Sequence, residues 1–136
     1  MKKLLIAICA AFLLLAGCSS KEQTGLKEAL VAKFKDDQDL KDYKLDPGPI
    51  ADCVVKQITD SLPGFAGDPR RDRYFDAYVR FVNVKSPNDA EKAITDFTEL
   101  FGSAKKAREA ANGVTDHVMT CMGKAIERVG GNEGGQ

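Results

Sequence analysis

The chain has 136 residues, with 20 Lys and Arg balanced by 20 Asp and Glu, one His, no Trp and four Cys. That length suits one domain with a real hydrophobic core. The even charge gives no bulk drive toward nucleic acid or anionic head groups, so nucleic acid is excluded as the expected partner.

Lys2 and Lys3 precede an apolar run from Leu4 to Ala16, and no charge occurs between Leu4 and Ser20. The run has the length of a signal-peptide h-region and is too short to span a bilayer comfortably. It ends in Leu15-Ala16-Gly17-Cys18 rather than in an A-x-A-like site. This pattern resembles the lipobox of bacterial lipoproteins, over residues 1–18 only. The resemblance implies cleavage between Gly17 and Cys18, lipidation of Cys18, and attachment by two or three acyl chains, which hold durably where one does not. Enteric lipoproteins kept in the inner membrane carry Asp after the lipidated Cys. Ser19 at that place therefore implies an outer-membrane protein facing the periplasm in a Gram-negative host. On this reading Cys9 leaves with the signal and Cys18 carries lipid. Cys53 and Cys121 then remain as one possible disulfide, in a compartment where such bonds persist. The chain-entropy model gives a bond of that span about 4 kcal/mol. Loss of Lys2 and Lys3 leaves the mature chain slightly acidic.

The expected organisation is a signal peptide at 1–17, a lipidated Cys and short tether at 18–25, a helical domain at 26–130 and a flexible tail at 131–136. Leu26, Leu30, Val31 and Phe34 recur at helix spacing and predict a first helix near 22–35. The acidic stretch from Asp36 to Tyr43 reads as loop or a frayed helical turn. Pro47-Gly48-Pro49 breaks the chain and starts a second helix, on which Ile50, Val54, Ile58 and Leu62 step by four with Cys53 on the same side. Pro63 to Gly67 is a loop. Asp68-Pro69 opens a third helix, its wide apolar face made by Tyr74, Phe75, Tyr78, Val79, Phe81 and Val82. Tyr78 to Val84 also carries a weak strand-like alternation, which the helical repeat overrides. Ser86-Pro87 opens a fourth helix running to Phe101, and Gly102-Ser103 separates it from a fifth. Asn112-Gly113 marks a kink or division of that last helix, and Gly130-Gly131 its stop. The fold class is all-α: about five helices in an orthogonal or bundle-like domain with one disulfide.

Chemistry-bearing constellations are sparse. His117, Met119, Cys121 and Met122 are a soft-ligand set suited to copper, with His117 and Cys121 on one helix face. Cys121 has the competing use as a disulfide partner, and Met on a helix is usually core filler. His117 has no nucleophile motif around it, and no G-x-S-x-G, H-E-x-x-H or S-x-x-K pattern is present. Asp37 and Asp39 alternate as in a calcium loop, but Lys41 takes the next ligand position and no Gly follows. No cofactor or metal is expected, and the protein is read as a non-enzyme.

Two features point to a partner. Arg70, Arg71 and Arg73 stand in the first turn of a helix, where its dipole disfavours cations. They either meet an acidic partner or lipid phosphate, or are neutralised by Asp68, Asp72 and Asp76, and the second reading is favoured. Phe65, between Gly64 and Gly67, either anchors a partner or folds back as a lid, and the lid is favoured. The expected function is a membrane-anchored envelope lipoprotein that binds another protein, of immunity or inhibitor type by analogy of fold class alone. The alternatives are a carrier of a small apolar ligand in a helical cleft, recognisable by a dry pocket of at least about 300 Å³, and a copper-binding protein.

Overall fold

Ser20 opens the first helix by accepting the Gln23 N–H on its hydroxyl at 3.1 Å. This satisfies one of the amides a helix N-terminus leaves unpaired. The computed structural model describes residues 20–133, which form seven α-helices and, among the described residues, no strand. They are α1 (Lys21–Phe34), α2 (Gln38–Asp42), α3 (Pro47–Ser61), α4 (Arg70–Val82), α5 (Pro87–Asp96), α6 (Thr98–Phe101) and α7 (Ala104–Glu133). Residues 1–19, on which the expected signal peptide, Cys9, the lipidation at Cys18 and the reading of Ser19 fall, and residues 134–136 lie outside the described residues. The domain is all-α, as its periodicity predicts, and none of these helices is long and apolar enough to cross a membrane.

Three further helix starts have a local cause of the same kind. Asp37 Oδ1 accepts the Leu40 N–H at 3.1 Å and turns part of the acidic stretch into α2. Asp46 Oδ1 accepts the Gly48 N–H at 3.0 Å, with Pro47 in the first turn of α3, where its missing N–H costs nothing. Ser86 caps α5 through the Asp89 N–H at 3.2 Å.

Four expectations about element bounds change. Lys21–Gly25 are helical, so most of the expected tether belongs to the domain; Gln23 Nε2 reaches Thr59 Oγ1 on α3 at 3.5 Å and fixes this turn. The fourth predicted helix breaks at Phe97 (φ −110°, ψ 9°) into α5 and α6. The break lets Phe97 and Phe101 both face α4: Phe97 meets Phe81 at 6.1 Å, and Phe101 meets Tyr74 at 5.2 Å, edge to face. The last helix is not divided at Asn112-Gly113. Buried Ala107, Val114 and Cys121 hold it down on both sides, and one Gly in a helix interior costs only about 1 kcal/mol. Nor does it stop at Gly130, since helix continues to Glu133.

The core gathers Leu26, Leu30 and Phe34 of α1, Leu40 of α2, Ile50, Val54 and Ile58 of α3, and Phe75, Tyr78 and Phe81 of α4. Full burial of such side chains contributes about 1.5–3 kcal/mol each. Lys27 on α1 pairs with Asp52 on α3 at 2.7 Å, while Gln23 meets Thr59, so these helices run antiparallel. Cys53 is bonded to Cys121, with Cα atoms 5.9 Å apart, and Gln57 lies against His117, so α3 and α7 are antiparallel as well. The C-terminal end of α7 therefore lies at the end of the bundle opposite Ser20.

Candidate interaction surfaces

The loop from Leu62 to Pro69 is built by its own charges. Asp68, only 5% exposed, accepts the Arg70 backbone N–H on Oδ1 at 3.0 Å and the Arg70 guanidinium on Oδ2 at 2.7 Å. These hydrogen bonds, first that from the Arg70 side chain, hold the Asp68 carboxyl below the ordinary carboxylate value and raise the guanidinium of Arg70. Arg71 donates to the carbonyls of Pro63, Leu62 and Gly64, each at 3.1 Å, and so ties the loop to the start of α4. Gly64 has φ +83°, and a Cβ there would strike the Asp68 carboxylate, so only glycine fits.

The arginine cluster thus divides. Arg70 is neutralised by Asp68, as the favoured reading has it. Arg71 is not: its partners are carbonyls rather than carboxylates. Arg73 is exposed and makes no ion pair among the described residues. Phe65 corrects the favoured lid reading. With Arg71 holding the carbonyls of Leu62, Pro63 and Gly64 just before it, the ring stands outward at 70% exposure, the most of any large apolar side chain described.

A second apolar surface went unread in the sequence. Met119, Met122, Ile126 and Val129 step by three, four and three along α7, on a face beside the inner one that carries Val114, Val118, Cys121 and Ala125. Met119 is 67% and Val129 52% exposed, Ile126 is half-buried, and Met122 leans in part on the core. The signal was the same heptad-like spacing, hidden because the inner face uses one phase of α7 and this stripe another.

The soft-ligand set is not gathered as a metal centre. Cys121 is 2% exposed and held in the disulfide, so its sulfur is no thiolate. His117 Nδ1 lies 2.7 Å from Gln57 Oε1, an atom that only accepts, so the ring donates there. The Gln57 amide nitrogen in turn donates to Cys121 Sγ at 3.3 Å. Of the calcium candidates, Asp37 is spent on capping α2, and Asp39 stands in the first turn of that helix.

Two grooves remain. One of about 340 Å³ is lined by Phe81, Val84, Ala90 and Ile94, with Arg108 and Asn112 at its polar side. Arg108 is already engaged by Glu91 at 2.6 and 3.1 Å, which raises the guanidinium and lowers the carboxyl. The other, about 440 Å³, is lined by Asp52, Cys53, Lys56, Gln57, Asp60, Lys124 and Arg128, and is strongly charged. The chain matches no protein-family model, no curated protein sequence and no solved structure, so its surfaces alone carry the functional reading.

Proposed function

We propose that the protein is a lipid-anchored, non-enzymatic binding module of the bacterial envelope, held at the membrane by Cys18, and that its partner is a protein presenting an amphipathic helix. The observation that carries the docking part is the Met119–Met122–Ile126–Val129 stripe. Its three-four-three spacing is that of a coiled-coil seam, and Met side chains adapt to a facing surface. The stripe lies toward the bundle end opposite Ser20, so an anchor just ahead of Ser20 leaves it accessible from the periplasm. Cys18 at the end of the lipobox-like segment and a disulfide suited to an oxidising compartment support the location. In a Gram-negative host, Ser19 supports outer-membrane placement.

Crosslinking in intact envelopes followed by capture of the full chain tests the proposal. Wild type is expected to retain a protein partner, and Met119→Lys with Val129→Lys to reduce its yield at least tenfold, since charges in a desolvated seam cost more than about 1.4 kcal/mol. Both positions are exposed, so the fold tolerates the changes. Equal capture by wild type and variant, or no partner with wild type, overturns the docking.

The groove beside Phe81 and Ile94 favours a second reading, a carrier of a small apolar ligand, because its volume reaches the lower range of ligand sites. Native mass spectrometry of protein taken directly from envelopes separates the two: a retained apolar ligand supports the carrier, and ligand-free protein counts against it.

A further inference from the structure

We infer that the loop Pro63–Gly67 rests on the same bilayer that holds Cys18, with the Phe65 ring in the lipid interface. The inference rests on the lipid-anchor reading and adds to it a second contact and a fixed orientation. Proximity comes first. Ser20 lines one groove together with Ala66, Gly67, Asp68 and Arg71, so the start of the domain and the loop are neighbours. Only Ser19 separates Ser20 from Cys18. Two steps of chain reach at most about 7 Å, so the acyl chains enter the membrane within a side-chain length or two of this end of the bundle.

The loop is shaped for that contact. Phe65 is 70% exposed, and the Arg71 bonds to three loop carbonyls brace the turn that displays it. From Leu62 to Gly67 there is no charged residue. Of the two carboxylates lining that groove, Asp68 is buried and covered by Arg70, and Asp72 stands on the first turn of α4, away from the loop's own residues. The outward surface is therefore an aromatic ring on an uncharged turn, followed on the first turn of α4 by Arg73, exposed and in no ion pair among the described residues, an arrangement that suits acyl chains beneath and phosphates beside them. A single Phe would be a weak ligand for a membrane by itself. Tethered by Cys18 it binds intramolecularly, where a weak contact is enough to populate one orientation.

The absence of Trp from the chain makes the test direct. Full-length protein is processed in cells, purified and placed in phosphatidylethanolamine–phosphatidylglycerol vesicles, with Phe65→Trp as the sole tryptophan; Tyr43→Trp, on exposed Tyr43 at the C-terminus of α2, is the comparison. Emission of the Phe65→Trp protein is expected to shift to the blue and lose most of its intensity to lipids brominated on the acyl chain. Emission of the Tyr43→Trp protein is expected to do neither. Intact mass of the same samples reads the acylation of Cys18. Acylated protein with water-like, unquenched Phe65→Trp emission overturns the docking and leaves the anchor standing. Quenching at both positions overturns the fixed orientation. A Cys18 without acyl chains overturns the anchor, and the docking with it.

Discussion

Asp68 has two roles: it caps α4 and accepts Arg70, and both favour its ionised form. Its carboxyl is lowered from an ordinary value of 3.8. A group depressed in the folded state contributes stability above its unfolded value and loses it as pH falls through the folded one. Wild type is thus expected to be more stable than Asp68→Asn at neutral pH, and the gap should close as pH falls below about 4. Urea midpoints measured across that range check it; a gap independent of pH would mean the carboxylate charge contributes nothing. The residue types at this site were legible in the sequence, but the partition of the arginines was not. Arg70, Arg71 and Arg73 occupy neighbouring positions, yet one meets a carboxylate, one meets carbonyls and one meets solvent. That outcome depends on where the loop passes, which no local pattern encodes. The outward pose of Phe65 has the same cause.

At the scale of elements, α2 ends in an unusual way. The Leu45 N–H donates to the Leu40 carbonyl at 2.8 Å and the Lys44 N–H to that of Lys41 at 3.1 Å, a Schellman closure that puts Lys44 at φ 53°. Buried Leu40 and half-buried Leu45 are the apolar pair that accompanies this motif. A left-handed conformation costs an L-residue about 1–2 kcal/mol, so Lys44→Gly is expected to stabilise the domain, by about 0.5–1 kcal/mol once glycine's own unfolded-state entropy is subtracted. A chemical-denaturation midpoint that does not rise would show that Lys44 has compensating contacts. The helices with strong caps and clear stripes, α3, α4 and α5, were legible because Asp46-Pro47, Asp68-Pro69 and Ser86-Pro87 act within a few residues. The break at Phe97 was not, because no breaker residue marks it. It arises from aromatic packing against Tyr74, Tyr78 and Phe81, which are distant in sequence.

For the whole molecule, the disulfide closes a separation of 68 residues and joins α3 to α7, so it constrains the unfolded chain strongly. Replacing both Cys53 and Cys121 by Ala is expected to lower stability by up to about 4 kcal/mol, read from urea unfolding, without changing helix content. Loss of less than about 1 kcal/mol would mean that packing alone holds the two helices. The bond was foreseen from the lipobox reading and from the apolar faces on which both residues fall. The antiparallel placement of α1, α3 and α7, which sets the N-terminus of α1 and the C-terminus of α7 at opposite ends, emerged only from the tertiary pairings.

The two sulfurs of that bond are not equivalent. Cys121 is 2% exposed, and the Gln57 amide, itself held by His117, donates to its sulfur at 3.3 Å and more distantly to that of Cys53 at 3.8 Å. Cys53 is half-buried and opens onto the groove of mixed charge that also contains Asp52, Lys124, Arg128 and the Lys56–Asp60 pair. An incoming thiolate therefore meets the half-buried sulfur and is shielded from the buried one. Exchange is expected to proceed through a mixed disulfide on Cys53 with Cys121 as the leaving group, which gives the bond a preferred direction of opening.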